Sequence, residues 1–377
     1  MYLLFYIITF VTTNYTCMKG KIYSLIFFVC LFLVSCKKDS KQPAPSQAPS
    51  LENGLLSFSI NGQLFNTNID TVANNINIVL PHTLDLHSLT VNFTLASQVS
   101  ATIKGAPVSS GVTMDLSKLV YFTITSADKK RSSTFLINTQ TELVYYGLIG
   151  NVVTEKSLNK SYSYYFDQFD GSPSQAFNCG PASSTMAIKW ADSTFTKKPV
   201  DARNTYEPQG GWWSTRNVTD YLNLNGINNE TDTLSNLDSL VKVNIDNNRV
   251  IILCLDMFYV SYDELVSQHL DKFYATAAPG WGHFILVKGY KQMTSAFYLE
   301  VYDPYSQAQE YFPSVIPHEP RGQNRYYTSP DIKTATDVWN PYAMIIAPKG
   351  QQVTSSTKLQ VNSISKPRKP VPIAYGQ

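Results

Sequence analysis

Apolar and polar positions alternate with a period of two through residues 54–141. Leu56-Ser57-Phe58-Ser59-Ile60, Ile76-Asn77-Ile78-Val79-Leu80 and Leu89-Thr90-Val91-Asn92-Phe93-Thr94-Leu95 each read as half-buried strands, and so do residues 120–124 and 134–137. Asn61-Gly62 and Ser126-Ala127-Asp128-Lys129 supply turn chemistry between such runs. Short strands at regular spacing, without a helical period, predict a small immunoglobulin-like β-sandwich. Beyond residue 143 the pattern changes. Leu234, Leu237, Leu240 and Val241 recur at helical spacing behind Thr233 as N-cap, and a short helix is expected at 218–222. A second helical stripe runs through Tyr262, Leu265, Val266, His269, Leu270 and Phe273, which puts His269 on a helix shoulder. Residues 250–255 form a continuous apolar run that reads as a buried strand carrying Cys254. Strands are also expected at 161–166, 282–290, 297–302 and 342–347. Helices first and sheet later predict an α+β domain over residues 143–349.

The ends of the chain differ from both. Met18-Lys19-Gly20-Lys21 is a basic start, and residues 22–34 are an apolar stretch of signal-peptide length. Leu33-Val34-Ser35-Cys36 then resembles the bacterial lipobox, which implies lipidation of Cys36 and anchorage to a membrane of the cell envelope, outer membrane expected. Residues 1–17 read as an over-extended start and residues 37–53 as a flexible tether. Residues 350–377, with Pro367, Pro370 and Pro372 among basic residues, read as a flexible tail. At 377 residues and 44% hydrophobic, the chain can build two ordinary domains, and a net charge of +2 gives no case for nucleic acid. The sandwich pattern is similar to amino-terminal domains of Bacteroidetes-type lipoproteins; no chemistry is assigned to it, and a spacer and a glycan- or peptide-binding module are both open readings. His82 and His87 lie in it without a second pair of ligand-type residues nearby, so neither a metal nor a cofactor is expected.

Of the five cysteines, Cys17, Cys30 and Cys36 fall in or before the export signal, which leaves Cys179 and Cys254 for the folded part. In Phe177-Asn178-Cys179-Gly180-Pro181-Ala182-Ser183 the thiol stands at the start of a helix, with Pro181 in the first turn where its missing N–H costs nothing. The positive end of the helix favours thiolate over thiol, the requirement for a cysteine nucleophile. A buried structural cysteine satisfies the same stretch. Gly282-His283-Phe284 opens one apolar strand, and Val301-Tyr302-Asp303-Pro304 closes the next. Facing residues of an antiparallel hairpin have numbers with a constant sum, here about 586, so His283 is expected opposite Asp303. An imidazole and a carboxylate so placed can hydrogen-bond, fixing the ring for a thiol; a polar pair at a sheet edge would look alike.

Cys179-Gly180-Pro181-Ala182-Ser183, Gly282-His283-Phe284-Ile285-Leu286-Val287-Lys288-Gly289-Tyr290 and Val301-Tyr302-Asp303-Pro304-Tyr305 together resemble the peptidase C39-like family of papain-fold cysteine peptidases. The resemblance covers most of residues 160–307. It implies Cys179 as nucleophile, His283 as general base and acid and Asp303 as the orienting third member, acting on a peptide or protein substrate. It also implies an oxyanion-hole glutamine upstream of the cysteine, either Gln168 or Gln175, with Gln168 favoured because it follows a strand-like run. Trp281, Trp212 and Trp213 are aromatic positions for the cleft wall or for the core. Other readings are a non-catalytic binding lipoprotein, a cell-wall peptide hydrolase and an amide transferase. The NlpC/P60 type of cell-wall hydrolase carries Asp before its cysteine and Ser-Gly after it, which this chain lacks.

Overall fold

The computed structural model describes residues 51, 53–206, 211–263, 269–311 and 315–353. The stretches expected to be a signal segment and a lipobox with Cys36, and the chain beyond 353, lie outside these residues. Among the described residues no helix is long and apolar enough to cross a membrane.

The first part is built from nine strands: β1 (Leu55–Ile60), β2 (Asn68–Asp70), β3 (Asn75–Leu80), β4 (Leu89–Leu95), β5 (Val99–Ile103), β6 (Ala106–Pro107), β7 (Val112–Met114), β8 (Val120–Ser126) and β9 (Ser132–Thr141). They form a three-stranded sheet, β1-β4-β7, and a six-stranded sheet, β2-β3-β9-β8-β5-β6. The alternation read from the sequence is the burial pattern: in β4, Leu89, Val91 and Phe93 point inward while Thr90 and Asn92 do not. Phe58, Phe93 and Phe122 meet at the centre, the Phe93 and Phe122 rings edge to face at 5.0 Å. Strand β3 pairs with β9 in parallel, from Asn75 with Leu136 to Leu80 with Thr141, so both strands deliver the chain to the same end.

A short helix, α1 (Glu142–Tyr146), leads out of β9, capped by the Thr141 hydroxyl and ended by Gly147 at φ 78°. Then come β10 (Val152–Ser157), α2 (Cys179–Ala191), α3 (Pro199–Thr205), α4 (Thr215–Leu224), β11 (Asn229–Thr233), α5 (Leu237–Asp246), β12 (Val250–Asp256), β13 (Gly282–Met293), β14 (Phe297–Tyr302), β15 (Arg325–Thr328), α6 (Ser329–Trp339) and β16 (Tyr342–Ile346). Their seven strands form one sheet in the order β11-β16-β12-β13-β14-β15, with β10 also paired to β13. Helix α2 packs on the sheet with Met186 and Trp190 fully in the core. A separate apolar seam of Val79, Tyr145, Tyr146, Leu148, Met293 and Tyr326 lies where the two parts join.

Four expectations are corrected. Residues 161–166 form no strand; their tyrosines pack as loop side chains, Tyr164 donating to the Leu158 carbonyl at 3.1 Å. Helix α5 starts at Leu237, three residues later than its apolar stripe implies, because Asn236 rather than Thr233 accepts from the Ser239 amide. Of the helix expected around 262–273, residues 264–268 lie outside the described part, and the flanking residues are not helical. His269 is instead fully buried, stacked 3.7 Å from Tyr311.

Candidate active site

Helix α2 begins at Cys179, whose side chain is 2% exposed. The loop before it is held from both sides. Arg203 donates from Nε to Asn178 Oδ1 at 3.0 Å and from Nη2 to the Phe177 carbonyl at 3.0 Å, and Asn178 Nδ2 donates to Ser172 Oγ at 3.1 Å. Gly180 sits so close to the next layer that a Cβ there would lie 2.8 Å from Trp213 Cβ, so a side chain would push the start of the helix off its seat. Ser183 Oγ donates to the Phe284 carbonyl at 3.1 Å, which ties the cysteine helix to the residue after His283.

The ring of His283 lies at the start of β13, between β12, where it pairs with Leu255, and the end of β14. Its Nε2 is 2.7 Å from Asp303 Oδ1. The two residues are not register partners. A bulge between Val287 and Gly289 shifts the β13–β14 ladder, which ends at Leu286 with Tyr302. Asp303 is the first residue past that end, and its carboxylate turns back to the ring. The chain is fixed there by the Asp303 amide on the Gly322 carbonyl at 2.8 Å and by Tyr165 Oη on the Asp303 carbonyl at 2.9 Å. A Cβ on Gly322 would fall 1.9 Å from the Asp303 carbonyl oxygen, an approach only glycine permits.

Asp303 is fully buried and accepts four hydrogen bonds through its carboxylate. Oδ1 takes His283 and the Tyr305 amide at 2.9 Å; Oδ2 takes Tyr274 Oη at 3.0 Å and Tyr327 Oη at 2.6 Å. Burial works against its charge, but the His283 charge and these donors hold its pKa below the ordinary carboxylate value. Burial likewise pushes the His283 ring toward neutrality. Asp303, by charge and hydrogen bond, and a hydrogen bond with Cys179 outweigh it and raise the ring to about 10. With Nε2 taken by Asp303, Nδ1 is the nitrogen left for the thiol. The arrangement holds a protonated imidazole against a buried carboxylate, with the Cys179 thiol contributing to its charge.

The two glutamines differ. Gln168 is 1% exposed and bridges the loops on either side of the site. Its amide N donates to the Pro304 carbonyl at 2.7 Å, and its Nε2 to the carbonyls of Gln175 at 3.1 Å and Ala176 at 3.4 Å. Gln175 spends its side-chain oxygen on the Gly171 amide at 3.0 Å, closing a turn. The tryptophans separate too. Trp281 is partly exposed, with its ring centre 6.0 Å from that of His283 and 5.0 Å from that of Tyr305. Asp256 fixes it by accepting from the Gly280 and Trp281 amides at 2.6 and 3.1 Å. Trp212 is partly exposed and stacks on Phe284. Trp213 belongs to the core and not to a cleft: it is 1% exposed, edge-on to Tyr206 and Tyr221 beneath the cysteine helix.

Tyr274 and Tyr327 are the residues that sequence reasoning missed. Neither has a telling neighbourhood, and the chain holds 24 tyrosines. His82 is a further surprise. The ends of β3 and β9 bring it onto Glu142, with Glu155 beside them, a grouping drawn from three elements that no local spacing displays.

Residues 55–137 match the family described as SGBP, N-terminal, the amino-terminal part of Bacteroidetes surface glycan-binding proteins, which points to a surface or envelope protein. No curated protein matches the chain. Among solved structures it is similar to a candidate C39-like peptidase from Bacillus anthracis, at 11% identity and TM-score 0.33, over 52% of this chain and 100% of that one. UfSP from C. elegans is similar at 14% identity and TM-score 0.31, over 54% of this chain and 36% of its own length. A candidate secreted protein from Bacteroides fragilis NCTC 9343 is similar at 12% identity and TM-score 0.20, over 25% of this chain and 98% of that one. Likeness at this level transfers no function.

Proposed function

We propose that the C-terminal domain is a cysteine peptidase of papain-like fold, carried on a lipid anchor at Cys36 in the cell envelope. The observation that carries this reading is the 2.7 Å contact of His283 Nε2 with a four-times hydrogen-bonded Asp303, beside a buried cysteine at a helix start whose thiol adds to the upward shift of the ring. In this reading the Cys179 sulfur, at the helix start and beside the imidazolium, attacks a peptide carbonyl. The Cys179 amide and the Gln168 side chain receive the oxyanion, the Gln168 Nε2 turning to it from the carbonyls of 175 and 176 that it otherwise meets. His283 gives its proton to the leaving amine and then takes one from the water that releases the acyl-enzyme. Asp303 stays ionised throughout and keeps the ring oriented. Trp281 and Trp212, partly exposed beside His283 and Phe284, form the substrate wall.

The test is alkylation of the full chain by iodoacetamide at neutral pH, followed by digestion of a peptide library. The reading requires labelling at Cys179 that slows at least about a hundredfold in His283→Ala, together with cleaved peptides that Cys179→Ala leaves intact. Equal labelling of both proteins, with no cleavage, would overturn it. A binding lipoprotein is the second reading, favoured by the match of residues 55–137 to the amino-terminal part of glycan-binding proteins. A cavity of about 610 Å³ at one end of the sandwich, with Asn53, Gln98, Asp128 and Arg131 among its lining residues, is where such a ligand would sit.

A further inference from the structure

We infer that His82, Glu142 and Glu155 form a binding site for a divalent transition-metal ion of the Zn²⁺ class at the junction of the sandwich and the C-terminal sheet. His82 follows β3, Glu142 opens α1 and Glu155 lies in β10. One ligand atom from each, the His82 Nδ1 and a carboxylate oxygen from each glutamate, lie within 4.8 Å of one another. His82 Nδ1 contacts Glu142 Oε1 and is 4.0 Å from Glu155 Oε1. Ligands about 2.0–2.2 Å from one ion in a tetrahedron stand roughly 3.4 Å apart, so small side-chain rotations close the set.

An independent observation points the same way. Glu142 is 5% exposed, and its Oε2 has no hydrogen-bond partner among the described residues. A buried carboxylate oxygen without a donor is costly, and an ion held by the Glu142 carboxylate would offset that cost. The donor set names the ion. One imidazole nitrogen with two carboxylate oxygens suits Zn²⁺ or a neighbouring first-row ion and is a poor match for Ca²⁺, which takes six or more oxygens. Three protein ligands leave a fourth position for water.

Lys291 is the competitor. It is the cross-strand partner of Glu155, contacts Glu155 Oε2 and stands 4.0 Å from Glu142 Oε1. A protonated His82 and this ammonium would also neutralise the two carboxylates. The two arrangements respond to metal in opposite ways. A Zn²⁺ site binds the ion through neutral His82, joins two parts of the fold that otherwise meet through the apolar seam, and gains when Lys291 is neutralised. An ion-pair network gains nothing from the ion and loses when Lys291 is neutralised.

The experiment uses the full chain carrying Cys179→Ala, so that the thiol cannot take up the metal. ZnCl₂ is titrated calorimetrically into chelator-treated protein, and Tm is recorded with and without Zn²⁺. The site predicts one equivalent bound and a Tm raised by Zn²⁺. It also predicts affinity lowered at least about tenfold in His82→Gln and in Glu155→Gln, and raised in Lys291→Met. Glu155 is a third exposed, so its substitution leaves the fold intact if His82→Gln does not. Absence of saturable binding in the Cys179→Ala chain would overturn the site, and so would binding that Glu155→Gln leaves unchanged.

Discussion

The interiors of the sandwich and of the C-terminal domain are built on opposite terms. Around Phe58, Phe93 and Phe122 the sandwich buries an apolar cluster, and between Leu55 and Thr141 its buried polar side chains are the serines Ser126 and Ser133. The C-terminal domain buries Asp256, His269, Lys272, His283, Lys288, Glu300, Asp303, Glu319, Arg321 and Arg325 among its core. Burying a charge costs several kcal/mol before any partner repays it, and replacing such a pair by apolar residues is often neutral or stabilising. A domain that keeps so many is therefore not optimised for stability alone. The His283–Asp303 pair is the case where a reason is visible, since it borders the one described cysteine at a helix start. On the proposed function, the C-terminal domain is the part in which stability is given up for chemistry.

The sharpest way to break this contrast is to remove Asp303. Asp303→Ala leaves the His283 charge buried without its partner, and it is expected to lower kcat/KM about 10³–10⁴-fold. The same change should destabilise the C-terminal domain by roughly 3–5 kcal/mol. All five tryptophans, Trp190, Trp212, Trp213, Trp281 and Trp339, lie in that domain, so urea unfolding followed by tryptophan fluorescence reports on it alone. Normal thiol labelling and an unchanged midpoint in this variant would show that the buried pair does neither job. Phe122→Ala is the counterpart in the sandwich. It should cost about 3–5 kcal/mol as a cavity, visible in far-ultraviolet dichroism, while the alkylation rate of Cys179 stays within twofold. Loss of labelling there would mean that the two interiors are not separable.

A titration separates them again. The folded His283 ring has a pKa of about 10, above the 6.5 of a free ring. Its contribution to stability is present in full below 6.5 and is lost progressively as pH rises to about 10. The tyrosines that contact Asp303 act in the same direction above pH 10, because burial raises both well above 10.0 while the unfolded phenols ionise there. The tryptophan-reported transition should therefore weaken between pH 7 and 10, and His283→Gln should flatten that slope. A slope that survives the substitution would assign it to other groups.

What the chain discloses before folding follows the same division. The sandwich strands were legible because alternation and burial are one pattern there; residues 89–95 form β4 end to end. The buried strand β12 and the hairpin of β13 and β14 were legible from continuous apolar runs. Strand β10 was not, since Thr154, Glu155 and Lys156 carry no apolar signal and the strand is recruited by pairing with β13. Helix α6 escaped because Ser329, Pro330 and Asp331 look like a loop until Pro330 is seen in its first turn. Within the site, Cys179, His283 and Asp303 stood out by their immediate neighbours. Opposition of His283 and Asp303 was expected from a hairpin sum of about 586, but the pairs sum to 589 next to the turn and to 588 past the bulge, so the contact comes from the turn after β14. Tyr274 and Tyr327 could not be read at all, because what qualifies them is a hydroxyl aimed at a carboxylate 29 and 24 residues away.

These two phenols carry the smallest effect and the finest test. Both donate to Asp303 Oδ2, Tyr327 at 2.6 Å and Tyr274 at 3.0 Å, so removing one leaves the other in place. A hydrogen bond to a buried charged group is worth about 1.5–3 kcal/mol, but a shared acceptor retains part of that when a single donor goes. Tyr327→Phe should reduce kcat a few-fold and Tyr274→Phe less, with KM unchanged. The pair together should exceed the product of the two, because only then is Oδ2 left bare in the core. The sign of the pH effect is fixed as well. The Tyr327 hydrogen bond helps depress the pKa of Asp303, and a depressed carboxylate contributes stability that is lost as pH falls. Tyr327→Phe lets that carboxyl take its proton earlier, so the acid midpoint of the tryptophan-reported transition should move to higher pH. A merely structural tyrosine would cost the same stability at every pH, whereas one that positions Asp303 costs less as the carboxyl is protonated; a cost that stays constant on acidification would remove both phenols from the positioning of Asp303.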